Sequence, residues 1–155
     1  MRFVKYIVIL PLCLLLGSCP APDVEINIGD YDEQLEAWNY QNMLNYQLLL
    51  VYYYEGYSKS KQAVVTVKNG IPESSDPADW LASGEKSNIP DFFSFIKEQE
   101  KKFEKGRFFQ NSYHFKVGYN SEYHYPYSIQ YYSFNSSSGP YTYWRWDITL
   151  TPLEE

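Results

Sequence analysis

Four polar side chains in the second half of the chain are of types that move protons or hold metals: His114, Glu122, His124 and Asp147. Acid–base work needs two such groups within hydrogen-bond reach, and a structural or catalytic zinc needs three or four converging donors. His114 falls on the polar side of an alternating run and His124 in the loop after it, so the two could approach each other. Glu122 is the nearest third ligand in sequence. The plainer reading of the same residues is two exposed histidines filling polar positions. Asp147 and Arg145 share a strand face and read first as members of a structural cross-strand ion pair with a neighbour, because no second carboxylate shares the spacing. No G-x-S-x-G, H-E-x-x-H, phosphate-binding glycine loop or dinucleotide fingerprint occurs. The linear pattern thus implies no cofactor, no metal and no catalytic residue.

The elements that must position these groups come from periodicity. Tyr113, Phe115, Val117 and Tyr119 alternate with His114, Lys116 and Gly118, which is the period of a half-buried strand. Asn120, Ser121 and Glu122 break that pattern. Pro126 restarts it, with Tyr127, Ile129 and Tyr131 against Ser128 and Gln130, so a β-hairpin is expected over residues 112–134. Upstream, Asp30 with Glu33 resembles a capping box, and Leu35, Ala37, Trp38, Met43 and Leu44 predict an amphipathic helix to about Asn45. Tyr46 to Tyr54 reads as a central strand and Gln62 to Lys68 as its partner, closed by an Asn69-Gly70 turn. Ile71 to Asn88 is a long polar segment with one helical turn carrying Trp80 and Leu81. A second helix opens at Asn88-Ile89-Pro90-Asp91, buries Phe92, Ile96 and Phe103, and stops at Gly106. After a Ser/Gly/Pro loop, Tyr141 to Leu150 is a last strand, with Trp144, Trp146, Ile148 and Leu150 on one side and Tyr143, Arg145 and Asp147 on the other.

The N-terminus carries a different signal. Arg2 and Lys5 precede a short apolar core from Ile7 to Leu16, too short to span a bilayer, which ends in Leu16-Gly17-Ser18-Cys19. This has the form of a bacterial lipobox. It predicts a lipoprotein signal peptide over residues 1–18, with palmitate-type acylation at Cys19 as the membrane anchor; the alternative is an ordinary secretory signal. Residues 19–30 then read as a tether, with a weak Val24/Ile26/Ile28 alternation suited to a short edge strand, and residues 31–155 as one domain. Cys13 leaves with the leader and Cys19 carries lipid, so the mature domain keeps no thiol for catalysis, metal or a disulfide. The expected place is the bacterial cell envelope, lipid-anchored and facing periplasm or cell surface.

Without Arg2 and Lys5, 11 basic side chains face 19 acidic ones, a balance of −8. Phosphate backbones repel such a chain, which argues against nucleic-acid partners. Tyrosine (17 residues) is the compositional outlier. Either strands simply favour aromatic residues, or part of the surplus forms a binding surface. Tyr132, Tyr141 and Tyr143, with Tyr53, are the candidates for that surface.

The chain resembles a bacterial, often lipobox-bearing family described only as domain of unknown function 6174. The likeness runs from Trp38, followed by Tyr46, through Val65-Thr66-Val67-Lys68-Asn69-Gly70 and Ile89 to Ile96, to Tyr119-Asn120-Ser121-Glu122-Tyr123-His124-Tyr125-Pro126-Tyr127-Ser128-Ile129. This last stretch is similar to the family's Y-D-P-x-Y-G-Y-P-x-x-I. Departures are Asn120-Ser121 where Asp-Pro is usual, His124 where glycine is usual, and Tyr53-Tyr54 where members often carry cysteines. The resemblance implies a fold and no assigned activity.

The resulting expectation is an α+β fold: an antiparallel sheet of four to five strands, two helices on one face, in the order α-β-β-α-β-β-β. The expected role is a non-enzymatic, membrane-anchored binding module for an envelope protein or glycan. The alternative is a small envelope hydrolase using His114, His124, Glu122 or Asp147.

Overall fold

The computed structural model describes residues 24–54, 58–106, 112–134 and 142–154. It is a mixed α+β fold with the elements β1 Val24–Asn27, α1 Tyr31–Gln41, β2 Tyr46–Tyr54, β3 Lys59–Lys68, β4 Ile71–Asp76, α2 Asp79–Ala82, α3 Ile89–Gly106, β5 Ser112–Tyr119, β6 Pro126–Phe134 and β7 Thr142–Pro152. The strands form one sheet in the order β1-β5-β6-β7-β2-β3-β4. Every pairing is antiparallel except β1 with β5, which is parallel. β2 lies between β7 and β3, which is why its Tyr46–Leu50 half alternates strictly between buried and exposed.

Seven strands and three helices replace the expected four to five and two. The additions are short: β1, anticipated as a Val24/Ile26/Ile28 edge strand, α2, anticipated as one helical turn carrying Trp80 and Leu81, and β4. β1 has four residues and gains its ladder only from β5. β4 is an edge strand of IPESSD, polar on both faces, so the long polar segment read as a loop hides it. Asp30 does stand at the start of α1, but its side chain makes no capping bond; its carbonyl accepts from Gln34 N–H at 2.9 Å. α1 also stops earlier than expected, because Asn42 turns left-handed (φ 49°) and closes the helix there.

The helices pack on one face of the sheet. α3 turns Phe92, Phe93 and Ile96 inward, where they are at most 2 % exposed. Its start is held by Asn88 Oδ1, which accepts Asp91 N–H, and by Asp91 Oδ2, which accepts Ser87 N–H. Trp38 of α1 meets Tyr46 edge-on, and Trp80 of α2 meets Trp146 edge-on. Beneath them lie Leu48, Leu50, Val65, Val67, Phe115 and Ile129, all fully buried. Burying each such side chain stabilises the fold by about 1.5–3 kcal/mol. Two core tyrosines use their polar ends: Tyr46 Oη accepts Ile89 N–H, and Tyr31 donates to the Phe93 carbonyl. Asn69 and Gly70, at φ 50° and 76°, form the tight β3–β4 turn. No helix among the described residues is long and apolar enough to cross a membrane.

One residue of the central hairpin leaves its expected face. Tyr127 is grouped by alternation with Ile129 and Tyr131, yet it is 49 % exposed and its ring lies over Gly118. The register shifts between Gly118 and Tyr119, so one extra residue of β6 is unpaired and swings outward. A Cβ on Gly118 would stand 2.8 Å from the Tyr127 ring, and glycine leaves that room.

Candidate functional site

The second face of the sheet, on the side away from the helices, presents rows set by strand register. Glu25, His114, Tyr132 and Tyr143 are direct neighbours across β1, β5, β6 and β7. Lys116, Gln130, Arg145 and Tyr53 form the next row, and Gly118, Ser128, Asp147 and Val51 the one after. In the first row the His114 and Tyr132 rings stack at 5.3 Å and 23°, and Tyr132 and Tyr143 stack at 5.9 Å and 16°. His114 Nδ1 lies 2.7 Å from Glu25 Oε2, which also pairs with Lys116 at 3.1 Å. Together these hold the Glu25 carboxyl below its ordinary pKa, the Lys116 hydrogen bond first and the His114 bond second. Arg145 Nε donates to Asp147 Oδ1 on the same strand. Arg145 and Asp147 thus pair with each other within one strand, where the spacing led to an expectation of cross-strand pairing.

Two of the three expected surface tyrosines, Tyr132 and Tyr143, are thus adjacent on this face. Tyr141, like the lipobox and Cys19, lies outside the described residues. The four polar candidates do not assemble. His114 belongs to the ladder with Glu25, whereas His124 Nδ1 bonds Gln34 Oε1 on α1. Nine residues separate them in sequence, and they bond different elements, β1 and α1. The loop is folded around Asn120, whose Oδ1 accepts the Glu122 and Tyr123 N–H groups. Gln41 Nε2 donates to the Glu122 carbonyl, which fastens the loop to α1, while Glu122 itself is exposed. Asp147 sits mid-sheet against Arg145. Among the described residues no three His, Cys, Asp or Glu side chains converge as a metal site.

A cleft of about 300 Å³ on the helix side was not legible in the sequence. It is lined by Tyr52, Glu85, Lys86, Phe95, Gln99, Trp144 and Trp146. Lys86 sits in the α2–α3 connection. That segment is fixed by Trp80 Nε1 donating to the Lys86 carbonyl at 3.1 Å and by the Ser87 hydroxyl donating to the Glu85 carbonyl at 2.8 Å. The Lys86 ammonium lies 4.0 Å from the Phe95 ring centroid and 5.6 Å from that of Trp146. Burial pushes the Lys86 pKa down despite the nearby Glu85, Asp91 and Glu98 carboxylates. The two tryptophans carry a legible signal as core residues of a strand, but nothing in the linear pattern ties a loop lysine to them.

Comparison of the chain with protein-family models, curated proteins and solved structures returns no match.

Proposed function

We propose that this chain is a lipid-anchored, non-catalytic binding module of the bacterial envelope, tethered through Cys19, whose open sheet face receives a protein partner. The stacked His114–Tyr132–Tyr143 row on a face that no helix covers among the described residues carries this reading. Tyrosine and arginine are the residues that interfaces concentrate, and here their side chains are already ordered by stacking and by ion pairs. Pre-ordering lowers the rotamer entropy lost on docking.

Ring orientation favours a protein over a glycan. A sugar stacks on an open ring face, but the facing sides of His114, Tyr132 and Tyr143 cover one another. The row also carries hydroxyl and charged groups beside the rings, which suits a hydrogen-bonding protein surface.

The resemblance to domain of unknown function 6174 belongs to the same proposal. His124 adopts φ 57°, the left-handed region that glycine enters without steric cost, and glycine is the residue usual at that point of the family's motif.

The test is crosslinked co-purification of the lipidated chain from its own membranes, beside a Tyr132→Ser/Tyr143→Ser variant. One partner protein recovered with the wild type and lost with the variant supports the reading. Identical recovery from both removes it.

A further inference from the structure

The cleft beside α3 holds polar groups that no other described residue uses. Lys86 Nζ meets only ring faces: no carboxylate, carbonyl or hydroxyl accepts from it among the described residues. The Tyr52 hydroxyl, its pKa raised by burial, also meets no acceptor among the described residues, and neither does the Gln99 amide. Three donors therefore line one cavity with no protein acceptor for any of them. The half-buried Lys86 ammonium is held over ring faces alone, and an anion arriving in the cleft would give it the charge-assisted hydrogen bond that no described residue supplies.

The rest of the lining limits what that anion can be. About 300 Å³ is at the lower end of small-ligand sites, room for a body of about one ring. Tyr52 is sandwiched between Tyr54 at 5.6 Å and Trp146 at 4.6 Å, and Trp144 is stacked on Tyr131 at 5.5 Å. With its faces taken, Tyr52 offers the cleft its hydroxyl, and the apolar lining is left to Trp144 and Phe95. Glu85 sets the opposite limit. Its carboxylate lies in the same lining, 3.6 Å from Lys61, and its charge opposes a second negative charge on the ligand.

From this juxtaposition we propose that the cleft binds a compact monocarboxylate with a planar apolar body. The carboxylate accepts hydrogen bonds from Lys86, Tyr52 and Gln99, and the body lies along Trp144 and Phe95. This site is on the helix side of the sheet, separate from the proposed protein-binding face, and does not depend on it.

The test titrates the full chain with benzoate, benzamide and phenyl phosphate, following tryptophan fluorescence, since Trp144 and Trp146 both line the cleft. Benzoate is expected to give a saturable one-to-one change, with the neutral benzamide weaker by roughly tenfold or more, the worth of a charge-assisted hydrogen bond. The dianionic phenyl phosphate is expected to bind more weakly than benzoate. Lys86→Met should lose benzoate binding by the same factor, with an unchanged far-ultraviolet circular dichroism spectrum, and Lys86→Arg should retain it. Benzoate and benzamide binding alike, full benzoate binding by a folded Lys86→Met chain, tighter phenyl phosphate, or no saturable benzoate response would each overturn the proposal.

Discussion

Trp146 and Arg145 are adjacent in β7, and they face two differently built surfaces. Trp146 is 3 % exposed and meets rings from three elements: Tyr52 of β2, Trp80 of α2 and Phe92 of α3. On the other side, Arg145 pairs with Asp147, and Tyr143 stacks on Tyr132 within the sheet. The covered face is held by a second layer. The open face is ordered by in-sheet stacking and ion pairs. Covered rings are thus held by several elements, and the rings of the open face by their neighbours within the sheet.

That contrast breaks most directly at Trp146. Trp146→Ala removes a ring that touches three elements, and it should cost about 3–5 kcal/mol, read as a lower urea midpoint at unchanged slope. Gly70→Ala forces a side chain into the left-handed region, φ 76°, and should cost about 1–2 kcal/mol. Tyr46→Phe keeps the ring and deletes the acceptor of the buried Ile89 N–H. A loss of about 1 kcal/mol is expected from the same urea curves.

On the open face the expected effects are smaller. Tyr132→Ser removes a ring stacked on both His114 and Tyr143, and Tyr143→Ser a ring stacked on Tyr132; they should cost under about 2 and under about 1 kcal/mol respectively. A loss as large as that of Trp146→Ala would show the open face to be part of the core.

The smallest effect is in pH. The folded carboxyl of Glu25 sits below its ordinary 4.5, so its contribution is complete above that value and fades as pH falls through the lowered one. Lys116, raised from 10.5 by the same pair, loses its contribution as pH climbs through its raised value. Corrected for intrinsic pH dependence, amide-exchange protection of β1 against β5 should therefore weaken at both extremes, while that of β2 against β3 holds. Equal loss in both ladders at acid pH would count against the pair.

The long elements were legible in the sequence for a physical reason: one side of each is buried. β2 runs over the expected Tyr46–Tyr54, and Phe92, Ile96 and Phe103 all face the core from α3. Trp144, Trp146, Ile148 and Leu150 share the covered side of β7 as alternation requires. Where burial is absent the pattern is absent too, and so β4, polar on both faces, was hidden. Tyr127 escaped because a bulge shifts the period by one residue, which no composition rule records. For the candidate site, alternation was enough to place Tyr132 and Tyr143 on one face. The partner of His114 was beyond reach, because Glu25 lies 89 positions away and meets it only through the parallel β1–β5 pairing. The cleft was hidden for the same reason: Lys86 meets Trp146 through the fold, not through spacing.

The central claim, that the open face is where a protein docks, is tested most directly by placing a photo-crosslinking amino acid at Tyr132, at Tyr143 and, on the outer side of α3, at Ser94. After irradiation of cells that make the lipidated chain, one protein adduct of the same mass is expected from positions 132 and 143 and none from 94. Equal adducts at Ser94, or no protein adduct at either tyrosine, would contradict it.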